Sequence, residues 1–328
     1  MKKCVLFLFA AAVLSSMAAA QIIIENPAQP LSRNAGRIVT LKEEMRIEDT
    51  GAGFFFKAPR GICVSPKGDI FIKDGRDQAL QFDPKGRFVR NLFKKGQGPG
   101  ELTALLDIWA SPDSIFLLGQ PLKILVFDYK GNLVRELSLR EASWGRIILA
   151  DSANLLLQKI GLPDPSSGTG FIDLPQDIAE IAQDGASFKT IGSFPIRASI
   201  EVQEGRIMSV ATWNHLQAVA LDGNTLFLNY TPEYQVEYFA RDEGAVVRVV
   251  DGKLWVQTST VVAGKGILFD VYDAEGRYLD NFFIQLLRKD LSNNLVNTSL
   301  TVVGGFVYFW DKTEDELIVI KKCRLVGL

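Results

Sequence analysis

The sequence predicts an all-β chain of repeated four-stranded units closed into a six-bladed propeller, and three observations carry that prediction. From Arg37 onward, strand-like runs alternate with Gly, Pro and Asp turns, and no long stretch has helical periodicity. One hairpin turn recurs in the same form: Phe82, Asp83, Pro84, Lys85, Gly86; then Phe127, Asp128, Tyr129, Lys130, Gly131; then Tyr272, Asp273, Ala274, Glu275, Gly276. A strand-like segment, Ile38 to Ile47, stands ahead of the first complete unit.

The recurring turn has a physical logic. Its Asp can accept from the backbone two residues on, and its Gly takes the positive φ that closes the hairpin without a Cβ clash. Alternating strands flank each copy, as in Ala79 to Phe82 and Arg87 to Leu92. Looser copies at Asp184 with Gly185 and at Asp242 with Gly244 bring the total to five. A second hairpin precedes each copy: Val64 to Ile72, Ile108 to Leu117, Ile147 to Leu157, Val219 to Leu228 and Val247 to Val256. Each unit is thus four strands, and the clearest pair, Phe82 and Phe127, is 45 residues apart, the length of a propeller blade. A sixth unit, Leu300 to Lys322, lacks a fourth strand. Pairing Ile38 to Ile47 with Leu317 to Lys322 supplies it and leaves the ring no open edge. The fourth and fifth turns lie only about thirty residues apart, short for four strands, so five blades stay open as an alternative and seven do not fit.

Ahead of this array, Lys2 and Lys3, an apolar run from Val5 to about Leu14, and Ala18 to Ala20 have the order of a secretory signal with a small-residue cleavage site. The resulting organisation is a signal over 1–20, an extended lead-in over 21–36 containing Asn26, Pro27 and Pro30, and one propeller over 37–328. The expected product is exported, periplasmic or secreted, and monomeric. No later segment approaches the roughly 20 apolar residues of a membrane span. Cys4 leaves with the signal, and Cys63 and Cys323 are expected as free buried thiols, although export permits a bridge. Charge is nearly balanced, 36 basic against 38 acidic side chains, without the basic tract that follows phosphates, so nucleic acid is excluded as a partner.

The most distinctive string is Lys94, Lys95, Gly96, Gln97, Gly98, Pro99, Gly100, Glu101. Its glycines can present several N–H groups to an anion beside two lysines. It lacks the Gly-Lys-Ser/Thr ending of a P-loop and no helix follows, so it is not a nucleotide fingerprint. The plainer reading is a connection between blades that bends sharply. With the lead-in and the Phe/Tyr-Asp-x-x-Gly turns, the GQGPGE string is similar to a family of secreted bacterial six-bladed β-propeller proteins related to NHL-repeat propellers. The resemblance spans nearly the whole exported chain and implies fold and export. The same fold serves calcium-dependent lactonases, zinc-dependent lyases and binding modules.

A single histidine, His215, cannot build a His₃ or His₂-carboxylate zinc site, and its neighbours Trp213 and Asn214 suggest no nucleophile elbow. Calcium is compatible with scattered oxygen ligands at a propeller axis, for which Asp74, Glu101, Asp107 and Asn229 are conceivable donors, each also readable as an ordinary loop polar group. Trp109, Trp255 and Trp310 fall in strands and are expected in the packing, whereas Trp144 and Trp213 fall outside confident strands, on loops where a binding rim would use them. The turn-rich insertion Leu162 to Phe171 is a flap over the ring mouth or a tolerated surface loop. The leading functional expectation is a non-enzymatic binding module for a protein, peptide or glycan, without a cofactor. Its ligand-binding residues are Arg60, Asp74, Arg76, Gly98, Gly100, Glu101, Trp144 and Trp213. The alternatives are a calcium-dependent hydrolase or lactonase with its metal at the axis, and a scaffold subunit of an envelope complex.

Overall fold

The computed structural model describes residues 25–49, 51, 53–140, 144–182, 184–185, 187–212, 217–221, 225–229, 246–285 and 300–328. The expected secretory signal, Trp213, His215 and the expected Asp242/Gly244 turn lie outside them.

Strand β1 (Arg37–Glu48) precedes six units. The first is β2 (Pro59–Val64), β3 (Ile70–Asp74), β4 (Gln78–Phe82) and β5 (Phe88–Asn91). The second is β6 (Ala104–Ala110), β7 (Ile115–Gln120), β8 (Lys123–Phe127) and β9 (Leu133–Ser138). The third is β10 (Trp144–Ala150), β11 (Leu155–Ile160), β12 (Gly170–Ile181), β13 (Phe188–Gln203) and β14 (Arg206–Thr212). The fourth shows β15 (Gln217–Leu221) and β16 (Thr225–Asn229) among the described residues. The fifth is β17 (Val246–Val250), β18 (Lys253–Val262), β19 (Gly266–Tyr272) and β20 (Tyr278–Gln285), and the sixth is β21 (Thr301–Val303), β22 (Phe306–Lys312) and β23 (Ile318–Val326).

Within a unit the strands run as antiparallel neighbours in chain order. The recurring turns have the expected geometry: Gly86, Gly131 and Gly276 sit at φ +78°, +83° and +82°. Asp83 Oδ1 accepts from the N–H of Lys85 and Arg87 at 2.9 and 3.0 Å, and Asp273 Oδ1 does the same for Glu275 and Arg277.

The first strands of successive units touch in the circuit β2, β6, β10, β15, β17, β21 and back to β2, so the ring closes with six blades. Packing between neighbouring blades holds that circuit. Phe71 and Leu92 of the first unit meet Leu105 and Leu117 of the second, and Phe116 and Val126 of the second meet Ile147 and Leu157 of the third. Ile148 and Ile178 meet Leu226 of the fourth. Trp255 and Phe269 of the fifth meet Val302 and Val307 of the sixth, and Tyr308 and Ile320 of the sixth meet Ile70 and Phe82 of the first. Apolar alternation in a strand shared between two such interfaces explains why the second strands read as nearly continuous hydrophobic runs. Trp109, Trp255 and Trp310 all pack in these interfaces, as their strand positions require.

Residues 40–48 of β1 pair antiparallel with β23 and complete the sixth blade, from Thr40 opposite Val326 to Glu48 opposite Val319. Residues 37–40 of the same strand pair parallel with β20 of the fifth blade, Arg37 opposite Phe282 to Thr40 opposite Gln285, a partnership the repeat pattern did not reveal. The strand therefore straddles two blades and joins them in one eight-stranded sheet. The lead-in reinforces the seam: Asn26 bonds the backbone of Gly276 and Tyr278, and Arg37 pairs with Asp280 at 2.9 Å.

Cys323 is buried and Cys63 is half-buried, not buried as expected, and both are free thiols. Burial pushes the Cys323 thiol up to about 11, which keeps it protonated. No helix among the described residues is long and apolar enough to cross a membrane.

Candidate functional site

One rim of the ring gathers the connections between blades and the turns between second and third strands. The N–H of Gly75 bonds Ala58 O at 3.0 Å, and that of Leu105 bonds Arg76 O at 2.6 Å. Lys123 Nζ donates to Gly98 O at 2.9 Å. The insertion between β11 and β12 holds a single 3-10 turn, Pro165–Ser167, capped by Asp164, and occupies the same kind of connection.

The expected rim residues divide sharply. Asp74 is fully buried at 0 % exposure. Its carboxylate accepts from the N–H of Lys57 at 2.7 Å, of Ala58 at 2.5 Å and from Gln78 Nε2 at 3.3 Å. It pins the incoming chain to the end of β3 and does not face a ligand. Burial pushes its pKa up, against the pull of those two N–H groups. The GQGPGE loop likewise turns inward. Glu101 Oε2 accepts from Gly98 N–H at 3.0 Å, and Glu136 Oε2 accepts from Gly100 N–H at 2.7 Å. Glu136 Oε1 also pairs with Lys123 Nζ at 2.8 Å, a lysine that is 4 % exposed. The N–H groups of Gly98 and Gly100 thus serve acceptors in the chain itself. The glycines are explained without a ligand: a Cβ on Gly96 would lie 2.0 Å from Glu101 Oε2, and Gly100 takes φ +71°. Trp144 opens β10, its backbone opposite Lys159, and its side chain lies outside the described residues, as does that of Asn229.

Arg60 and Arg76, in contrast, are exposed. Arg60 belongs to a group of charges on the first strands that sequence reasoning did not assemble, and Arg76 adjoins it from the turn between β3 and β4. Arg60 is on β2, Asp107 on β6, Arg146 on β10 and Arg248 on β17, strands adjacent round the axis except for the intervening β15. Lys73 joins them from β3 because Gly61 stands opposite it in the register. A Cβ on Gly61 would touch Lys73 Cβ at 3.4 Å and Cδ at 4.0 Å, so the missing side chain leaves the path along which the lysine stem runs.

These charges feel one another. Burial lowers the Lys73 pKa, Asp107 opposes that shift, and Arg60 and Arg76 reinforce it. Burial raises that of Asp107, against the N–H of Ile147 and the charges of Arg146 and Lys73. Burial, with help from Arg146, brings Arg248 down to about 10. Asp107 also joins two blades, since its Oδ2 accepts from Ile147 N–H at 2.8 Å and its Oδ1 from its own neighbour Ile108 at 2.9 Å. Arg248 bonds the carbonyl of Leu300 and, at 3.4 Å, Gln257 Oε1. Thr301 Oγ1 donates to Ile62 O at 2.6 Å across the last seam. Among the described residues, the charged groups carried by the first strands and β3 include Arg60, Lys73, Arg146 and Arg248 with Asp107.

Among the described residues, no three His, Cys, Asp or Glu side chains converge as metal ligands would. Asp74, Glu101 and Asp107, entertained as calcium donors, each accept from backbone N–H groups.

The family model that matches this chain agrees on the fold. The family model DUF5128, described as a 6-bladed beta-propeller, matches residues 49–156, which hold the first two units and the start of the third. No curated protein matches the chain. A protein from Bacteroides fragilis NCTC 9343, described as exported, superposes with a TM-score of 0.52 at 11% identity, covering 91% of this chain and 98% of that one. BamB from Moraxella catarrhalis gives 0.36 at 10% identity, covering 87% and 99%. The extracellular domain of a hybrid two-component system from B. thetaiotaomicron gives 0.42 at 9% identity, covering 87% of this chain and 42% of its own.

Proposed function

We propose that this propeller is an exported binding module, akin to NHL-repeat propellers, which takes a protein, peptide or glycan partner at the axial mouth. The observation that carries the reading is the convergence of Arg60, Lys73, Arg76, Arg146 and Arg248 from units that are distant in sequence. Ordered charge gathered by several blades is what a rigid ring supplies to a ligand, because the scaffold holds the side chains without help from the ligand. An exposed aromatic accompanies them: Phe55 is 55% exposed, carries Lys57 over its ring at 5.2 Å, and lies on the segment bonded to the Asp74 end of β3. The signal-like N-terminus supports a location outside the cytoplasm.

The calcium-dependent alternative draws no support from the carboxylates nominated for it, since Asp74 and Asp107 hold backbone N–H groups. The test is capture of glycans and peptides on arrays by the purified chain and by the double variant Arg60→Glu/Arg76→Glu. Both positions are exposed, so the variant should melt with the parent. Ligands that bind the parent should be lost by the variant. Equal capture by both would move the binding surface off this mouth.

A further inference from the structure

We propose that residues 26–32 form a removable strap over the outer edge of β20, and that the edge beneath takes an extended peptide of a partner protein by strand addition. This second surface lies apart from the axial mouth and does not depend on it. From Phe282 to Gln285 the edge is already a strand acceptor, filled by residues 37–40 of β1. Between Gly276 and Asn281 the lead-in takes over. Asn26 Nδ2 donates to Gly276 O at 3.0 Å and its Oδ1 accepts from Tyr278 N–H at 2.8 Å, so a side-chain amide makes the donor and acceptor pair that a neighbouring strand would make. Ser32 N–H donates to Leu279 O at 2.9 Å, Leu31 N–H to Tyr278 O at 3.4 Å and Gly36 N–H to Asn281 O at 3.0 Å.

The hold is polar and shallow. None of residues 25–36 is buried, and Leu31, the largest apolar side chain among them, is 69% exposed. The strand that follows is anchored differently, through Val39, Leu41 and Ile47 in the core. Ordering the strap costs chain entropy and gains hydrogen bonds that water can replace, so it can lift without unseating β1. Arg37 marks the boundary, since its guanidinium holds Asp280 at 2.9 Å and Asn34 O at 3.1 Å. The strap is also an incomplete match, because Asn281 Oδ1 of β20 is enclosed without a hydrogen-bond partner among the described residues. Lifting exposes backbone carbonyls and the Tyr278 N–H, groups that an extended peptide of a partner can answer. A donor on that peptide for Asn281 would satisfy what the strap leaves open.

Residue-resolved hydrogen exchange on the purified chain tests the lifting. The bonded N–H of Ser32 should exchange about tenfold or more faster than the bonded N–H groups of residues 41–47. Equal protection would make the strap a fixed part of the blade and end the proposal. Acceptance of a strand is tested with a fluorescent peptide of residues 25–36, titrated by anisotropy against the parent chain and against Asn26→Ala/Ser32→Pro. The double variant removes the amide pair and the Ser32 N–H, and both positions lie outside the core, so it should melt with the parent. The parent should bind the probe weakly, because its own strap competes at high effective concentration, and the variant about tenfold or more tightly. A probe carrying Asn26→Ala should bind the variant more weakly than the unaltered probe. Equal binding by parent and variant, or none by a variant with parental melting, overturns the proposal. Dimers of the variant that the probe dissolves in size-exclusion chromatography would make the occupant a second copy and overturn its assignment to a partner peptide.

Discussion

Two places in this ring gather charge, and they use it in opposite ways. In the GQGPGE loop, Glu101 accepts from Gly98 N–H, Glu136 accepts from Gly100 N–H and pairs with Lys123, and Lys123 also donates to Gly98 O, so the loop is a closed buckle. At the axis, Lys73 feels the charges of Asp107, Arg60, Arg76 and Asp74, Asp107 feels those of Arg146 and Lys73, and Arg248 feels that of Arg146. The loop catches the eye in the sequence because its glycines are adjacent, yet its chemistry is spent on holding itself together. The axial residues are inconspicuous in the sequence, and their charges come from several units. A conspicuous motif therefore marked a structural joint, and single charges in apolar strands marked the candidate site.

The largest expected effect is at the buckle. Glu136→Ala leaves Lys123 enclosed without its counter-charge and frees Gly100 N–H, and should cost about 2–3 kcal/mol of unfolding free energy in a denaturant titration. A loss under about 0.5 kcal/mol would show the buckle to be no better than a surface ion pair.

Next, Gly96→Ala drives a methyl into the Glu101 carboxylate and should cost about 1–2 kcal/mol. Paired with Glu101→Ala, it should cost much less than the sum of the two single changes, because the second removes the obstacle met by the first. Strict additivity in that double-mutant cycle would mean that the glycine is required for another reason.

Opposite pH signatures should separate the two places further. Glu136 is held below the usual carboxylate range: burial would raise it, but Gly100 N–H and Lys123 outweigh burial. Its contribution is present above the unfolded pKa and is lost as pH falls through the folded one, so Glu136→Gln should be destabilised at neutral pH and converge with the parent in acid. Asp107 is raised by burial, so in the parent its ionisation costs stability as pH rises above the ordinary Asp range. The amide of Asp107→Asn can keep only one of the two N–H bonds, so the variant should lose a pH-independent amount of stability and also lose the parent's decline in stability as pH rises out of the acid range. Melting temperatures of both variants across the acid range read this directly, and the same sign for both would erase the distinction drawn between buckle and axis.

The smallest effect is expected at the exposed axial arginines. Arg60→Gln and Arg76→Gln should each shift stability by less than about 0.5 kcal/mol. A larger loss would make them structural and align the axis with the buckle.

Much of the ring was legible because its signals are local. Asp83 and Gly86, Asp128 and Gly131, and Asp273 and Gly276 close hairpins through contacts within five residues, so the sequence spells each turn out in full. The need of the sixth unit for a fourth strand was also readable, since it follows from counting strands, and β1 fills the vacancy. The parallel pairing of Arg37–Thr40 with β20 was not readable, because no repeat predicts a strand that belongs to two blades. Asp74 looked like a rim charge and proved to be an anchor, because only the folded chain brings Lys57 and Ala58 N–H onto it. Arg146 in Gly-Arg-Ile-Ile and Arg248 in Val-Val-Arg-Val-Val did carry a signal, a lone charge interrupting an apolar first strand.

The sequence by itself determined the strand-and-turn repeat and its closure, because period, Asp-Gly turns and a missing strand are properties of short segments and their order. The tertiary structure alone decided which charges meet. Arg60, Arg146 and Arg248 lie on three different blades, and only closure of the ring sets them about one axis where their fields add.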